Sequence, residues 1–299
     1  MVTVSREVGT LSPARPPAAA RSWWRDPAVR LIRQPAGLTG LVIIAALCLV
    51  ALIAPLLTSY DPTDQVADRL LSPSRAHVFG TDEFGRDIYS RILYGARVSL
   101  EVGAISVGIA LVLGCVTGIV SGFFMGIVDS LVQRLVDIML AFPSVILIIA
   151  ISGVLGPSMV TAMIAIGLVY APSFARIVRG PTIVVMQHQY VEAGRVIGAS
   201  PSRLMIRYVL PNVAAPIIVQ ATLAFSTAIL AEATLSFLGL GTQPPDPSWG
   251  SMLGTGRKYM ETAPHVAIFP GLAIAVTVLG FNLLGDALRD ALDPGLRER

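Results

Sequence analysis

The sequence predicts an all-α integral membrane protein: six transmembrane helices, both termini cytoplasmic, and a polar cytoplasmic loop between the fourth and fifth helices. Three observations lead there. The 299 residues are 54% hydrophobic and only 14% charged, against about 25% charged residues in soluble domains. Six apolar runs approach or exceed the length of about 20 residues that a spanning helix needs. Of the 22 Lys and Arg, 15 fall on one side of the resulting topology and 7 on the other, which orients the chain N-in and C-in by the positive-inside rule. The same rule accounts for the net charge of +3 and the pI near 9.1, so no nucleic-acid partner is required.

Residues 1–37 are rich in Ala, Pro and Arg and read as a disordered cytoplasmic tail, with Trp23 and Trp24 marking the approach to the membrane interface. They are not a secretory signal, because the apolar run that follows is too long. The first span is 38–57, and with the long extracytoplasmic loop that follows it makes up 38–97. Residues 98–290 carry spans two to six, at 98–122, 136–155, 159–174 (extending toward 178), 213–235 and 267–284, and 291–299 form a cytoplasmic tail. Gly114, Gly118 and Gly122 recur every four residues in the second span, a signal for close helix packing. Pro143 in the third span and Pro216 in the fifth permit local kinks that neighbouring helices can satisfy.

The end of the first outer loop, FGTDEFGRDIYSRILYGARVSL, alternates Asp82, Glu83, Arg86, Asp87, Arg91 and Arg97 at near-helical spacing. Thr81 is placed to cap a helix there, with Ile88, Ile92 and Leu93 on its apolar face. The paired carboxylates invite an acid–base reading, but acids and arginines in such a run pair with each other and fold the segment against the membrane surface. In the second outer loop, Trp249 reads as an interface anchor. Cys48 and Cys115 sit inside apolar runs and read as helix-packing residues, and His77, His188 and His265 read as ordinary loop residues. No residue is assigned a catalytic or metal-binding role.

The polar loop between the fourth and fifth spans reads YVEAGRVIGASPSRLMIRYVLPN, from Tyr190 to Asn212. Gly198 is placed to end a first short helix as a left-handed cap. Ser200 is placed as the N-cap of a second, with Pro201 at its first position and Pro211 closing it. Two capped helices joined by an elbow make a shaped contact surface rather than a slack linker.

This elbow resembles the cytoplasmic EAA loop of binding-protein-dependent ABC importers, through Glu192, Ala193, Gly198, Leu210 and Pro211. Gly194 stands where Ala is usual in the family, and Tyr208 where His is common. The segment before the second span and AEATLSFLGLG, from Ala231 to Gly241, resemble the C-type subunit of the dipeptide/oligopeptide permease group. The resemblance implies a permease that translocates peptides across a bacterial cytoplasmic membrane by alternating access. It implies contact with a separate ATPase through Glu192, Ala193, Gly194, Arg195, Gly198, Arg203, Leu210 and Pro211. It also implies a B-type second permease subunit, two ATPase subunits that bind ATP and Mg, an extracytoplasmic substrate-binding protein, and no cofactor in this chain. The nearest string to a phosphate-binding loop, GTGRK at Gly254, lacks the spacing and lies in an outer loop. Related permeases carry nickel or other small solutes, which remain the alternative cargo.

Within the spans, Glu232 is the one ionisable residue well inside, and an intramembrane carboxylate is by default a pathway candidate. Thr277 and Asn282 are weaker candidates that equally suit interhelical hydrogen bonding. A stand-alone channel or secondary transporter would show more intramembrane charge or matched broken helices. An intramembrane enzyme would show convergent catalytic groups. Neither pattern is present in the sequence.

Overall fold

The computed structural model describes residues 25–292; of the expected tails at 1–37 and 291–299, residues 1–24 and 293–299 lie outside them. Residues 25–37 are not a disordered tail. A short helix, α1 (Arg25–Arg33), leads into α2 (Pro35–Leu57), whose proline at the first position costs no intrahelical hydrogen bond. After the outer loop come α3 (Ile88–Phe124), α4 (Gly126–Ala141), α5 (Ser144–Leu155) and α6 (Met159–Met186). The elbow follows, with α7 (Gln189–Val196), α8 (Pro201–Leu204) and α9 (Leu210–Asn212), then α10 (Ala214–Phe237), α11 (Trp249–Gly256) and α12 (His265–Leu292). Among the described residues, five helices are long and apolar enough to cross a membrane, and the bent pair α4–α5 makes a sixth crossing if it counts as one span.

That pair corrects the third span. The sequence reads 136–155 as one helix with a kink, but the chain turns by 92° between α4 and α5. Pro143 explains the break: its ring forces Phe142 out of the helical region, to φ −87° and ψ 139°. Asp129, Arg134 and Asp137 lie in α4, and two of them hold it to α6. The Arg179 guanidinium donates Nε to Asp129 Oδ1 at 2.6 Å and Nη2 to Oδ2 at 2.5 Å, while Arg176 pairs with Asp137. These arginines therefore do more than obey a charge rule: the bidentate pair fixes α4 across the end of α6.

The core of the bundle is the α3–α6 contact. A Cβ on Gly114 would lie 2.3 Å from the Cβ of Phe174, one on Gly118 2.5 Å from the Ala175 carbonyl, and one on Gly122 2.8 Å from Thr182. In lipid there is no hydrophobic drive between helices, so this backbone-to-backbone van der Waals contact is what associates them. Around it, Phe174, Ile166, Ile148, Ala228 and Leu235 are fully buried. At 37 residues and without proline, α3 is the longest of the described helices.

The outer loop departs from the expected Thr81-capped helix. Residues 81–87 form a tight turn closed by a bridge between Thr81 and Asp87. Asp82 Oδ1 accepts the amides of Phe84 at 2.8 Å and Arg86 at 3.0 Å, which diverts this backbone from helical bonding. The helix starts at Ile88 instead, capped by Asp87 Oδ2, which accepts from the Ser90 amide at 2.8 Å. Part of the charge run pairs internally: Arg86 Nε donates to Asp82 Oδ2 at 2.7 Å and Arg91 Nε lies 3.5 Å from the same oxygen, while Arg91 Nη1 donates outside the run, to the Pro62 carbonyl at 2.7 Å. Ile88, Ile92 and Leu93 are buried as expected. His77 is no ordinary loop residue: it is buried, with Nδ1 3.0 Å from Asp87 Oδ1. Of the two cysteines, Cys115 is buried in helix packing and Cys48 is exposed on the bundle's perimeter.

Candidate functional site

The elbow has the two-helix form its residues dictate. α7 (Gln189–Val196) ends at Gly198, whose φ of +80° places it in the left-handed region. The Gly198 amide donates to the Arg195 carbonyl and the Ala199 amide to the Gly194 carbonyl, each at 3.0 Å, the paired bonds of a Schellman motif. Ser200 then caps α8 (Pro201–Leu204), its hydroxyl accepting the Arg203 amide at 3.4 Å.

Pro211 does not close this second helix. The chain winds on through a π-helical turn, Met205–Val209, into α9 (Leu210–Asn212). Proline lacks the amide that would bond the Arg207 carbonyl, and its ring clashes with that group. The wider turn makes room, and the Leu210 amide reaches back to Met205.

One side of the elbow is its foot. Val191, Leu204, Val209 and Val213 are buried at 2% exposure or less, against Val178, Val185, Met186, Cys115 and Ile119. Gly194 belongs to this side: it is buried, and a Cβ there would lie 2.9 Å from Leu204 Cδ2. The family's usual Ala is thus replaced where α7 and α8 close on each other. Arg195 stacks its guanidinium 5.9 Å from the centroid of Phe123, at the end of α3.

The other side is a sole that none of the described residues covers. Glu192, Ala193, Gly198, Arg203 and Pro211 are exposed, and Leu210 is 38% exposed. The structure adds three residues that the motif did not single out. Val196, Ile197 and Ile206 are 81%, 79% and 66% exposed. The signal was present in the sequence, since apolar residues at the seam of two capped polar helices have no helix of their own to cover. An apolar centre rimmed by Glu192, Arg195 and Arg203 is the anatomy of a protein-docking patch.

The structure places the pathway candidates apart from the elbow. Glu232 is 1% exposed, and its Oε1 accepts from Ser236 Oγ at 2.6 Å. Ser236 Oγ also accepts the Thr242 amide at 3.0 Å, so this cluster ties the outer end of α10 to the second outer loop. Asn282 Oδ1 accepts from Ser226 Oγ at 2.7 Å, joining α12 to α10. Thr277 is buried and donates back to the Ala273 carbonyl at 2.8 Å. Trp249 is not an interface anchor: it is 2% exposed, and its Nε1 donates to the Ile92 carbonyl at 2.9 Å. It fits because Gly95 of α3 leaves space, a Cβ there lying 2.8 Å from the indole ring.

Known proteins share this architecture. Residues 114–298 match the family described as binding-protein-dependent transport system inner membrane component, and residues 22–73 match the N-terminal TM domain of oligopeptide transport permease C. The dipeptide transport system permease protein DppC of Alkalihalophilus pseudofirmus is 47% identical over 294 residues, 96% of each chain. The glutathione transport system permease protein GsiD of Escherichia coli O6:K15:H31 is 43% identical over 283 residues, 94% of this chain and 93% of that one. An inward-facing structure of the MetNI methionine ABC transporter superposes with a TM-score of 0.55 at 19% identity, covering 68% of this chain and 96% of that one. That last likeness shows the shared fold, and the sequence matches show the rest. The chain belongs to the inner membrane components of binding-protein-dependent transport systems, in the C-type branch of the peptide ABC permeases, and is a multi-pass inner membrane protein.

Proposed function

We propose that this chain translocates short peptides as one permease subunit of an ATP-driven importer and that the elbow receives the movement of a separate ATPase subunit. The observation that carries the coupling role is the elbow's sole: Val196, Ile197 and Ile206 exposed on two capped helices whose other side is buried in the bundle. A helix pair so anchored moves with α6 and α10 and does not fold away, which is what transmitting a push requires. The peptide cargo is supported by the relatives, one named for dipeptides and one for glutathione. ATP and Mg would be held by two ATPase subunits, a B-type permease would complete the membrane portion, and an extracytoplasmic binding protein would deliver the cargo.

Affinity purification of this chain from its native membrane, followed by uptake of a labelled dipeptide into proteoliposomes, tests the reading. A co-purifying ATPase and ATP-dependent uptake are expected. Glu192→Trp and Gly198→Val are expected to abolish uptake while leaving the chain inserted. Normal uptake by both variants overturns the coupling role. Uptake of nickel without any peptide overturns the cargo alone.

A further inference from the structure

At the cytoplasmic end of the bundle α6, α10 and α12 part around a cleft of about 550 Å³, walled by Ile177 of α6, by Ala215, Val219 and Gln220 of α10, and by Arg289 of α12. It opens between Arg289 and Asn212 of the elbow, both exposed. From Ala215 it follows α10 to Leu223, about 12 Å of helix rise. There it ends: a Cβ on Gly285 of α12 would lie 2.4 Å from Leu223 Cδ2, and one turn further Ser226 donates to Asn282 Oδ1 at 2.7 Å. The lip belongs to the elbow, because Asn212 Nδ2 donates to the Tyr208 carbonyl at 2.6 Å. Such a volume is that of a small-solute site.

Gln220 makes the cleft unlike a lipid-facing groove. It is half-buried in the wall, about 9 Å along α10 from Ala214, within the depth of the hydrocarbon layer. A helix face turned to hydrocarbon is apolar, since polar side chains there have no water to bond. The open face of α10 is mixed instead: Gln220, Thr227 and Thr234 recur every seven residues, about two helical turns apart, and Thr227 is exposed. Beside the same face, Tyr170 of α6 donates to the Thr227 carbonyl at 3.4 Å. The hydroxyls of Thr227 and Thr234 bond back to the Ala224 and Leu230 carbonyls at 2.9 and 2.7 Å. The Gln220 amide is therefore the polar group that the cleft presents at depth, and the Arg289 guanidinium is the charge at its mouth. An amide inside and a cation outside suit a solute that carries an amide and a carboxylate of its own.

We propose that this cleft is a subsite of the peptide's path on its cytoplasmic side, where Gln220 hydrogen-bonds the peptide backbone and Arg289 receives the terminal carboxylate. The proposal rests on the reading of the chain as a peptide importer. It puts the polar contacts of the path on residues other than Glu232, Thr277 and Asn282, which bond within the bundle. Asn212 is shared by cleft and elbow, so movement of the elbow reshapes the site that holds the solute.

The test uses the assembled transporter in proteoliposomes, with Cys48→Ser, Cys115→Ser and Gln220→Cys in this chain. A charged methanethiosulfonate, which reacts only through water, is added from the cytoplasmic side, and its modification of this chain is followed by mass spectrometry. The introduced thiol is expected to react, dialanine to slow the reaction severalfold, and dialanine amide, which lacks the carboxylate, to slow it less. With Arg289→Gln the two peptides should protect alike. No reaction means that lipid or another subunit covers the cleft and overturns the proposal, as does a reaction that dialanine leaves unchanged. Equal protection by both peptides with Arg289 in place overturns the role of Arg289. In a second measurement Gln220→Leu, which suits a membrane helix, is expected to lower ATP-dependent dialanine uptake about fivefold, the weight of one hydrogen bond; unchanged uptake overturns the role of Gln220. If the unmodified transporter takes up no dialanine, the importer reading falls and this proposal with it, whereas normal uptake with no Gln220 effect sinks this proposal alone.

Discussion

Pro55 removes one amide hydrogen from α2, and Arg97 supplies another. The Ala51 carbonyl would accept from residue 55 in an unbroken helix; here Nε of Arg97 donates to it, while Nη2 reaches the Leu52 carbonyl at 2.9 Å. A buried carbonyl without a partner costs about 1–3 kcal/mol, so Arg97→Met is expected to lower the thermal unfolding midpoint in detergent. Pro55→Ala restores the missing amide, so Arg97→Met should cost clearly less in that background. Additive losses across the cycle would show that the arginine is not acting on that carbonyl. Neither side of this bond was legible in the sequence. Pro55 carries no signal of its own within the first apolar run and Arg97 reads as one more charge of the outer-loop run, because the pairing depends on how α2 lies against α3. Gly198 is the opposite case. Its left-handed conformation follows from local chemistry alone, and the sequence reading of a Gly cap, a Ser N-cap and a first-position Pro holds at all three residues.

At the level of elements, the elbow is set by how closely α7 and α8 approach. Gly194 would give Ala a contact of 2.9 Å with Leu204 Cδ2, the mobile tip of a side chain that can turn aside. Ala also improves helix propensity by about 1 kcal/mol. Gly194→Ala is therefore expected to keep full uptake, and Gly194→Leu, which cannot be accommodated by a tip movement, to lose it with the chain still inserted. Equal uptake by both would mean that the α7–α8 angle does not matter to transport. Elements with a local signature were readable: the glycine stripe on α3 packs against α6 as its spacing foretold. The third span was not. Hydropathy puts its start near residue 136, past Asp129 and Arg134 of α4, and cannot register that Asp129 and Asp137 are neutralised by arginines of α6. Nor does it distinguish a proline that kinks from one that turns the chain by 92°. Trp249 was misread for a similar reason, since an indole in an outer loop looks like an anchor until Gly95 of a distant helix is seen to receive it.

For the molecule as a whole, the charge count and the order of the spans fix which surfaces face which compartment. A cysteine introduced at Thr63, in the outer loop, is expected to react with a membrane-impermeant maleimide in intact cells when Cys48 and Cys115 are replaced by Ser. One at Ser202, on the elbow, is expected to react only after permeabilisation. The reverse pattern would invert the topology and move the elbow away from any cytoplasmic partner. Across that topology α3 is a rod about 55 Å long, set through a hydrocarbon layer of about 30 Å. One end is gripped by the turn at Asp82 to Asp87, and the other lies under the Arg195 guanidinium. It runs unbroken over its whole length and has no proline to act as a joint. A small angle imposed at the elbow therefore arrives at the outer turn as a displacement, and the helix works as a lever between the two ends of the bundle.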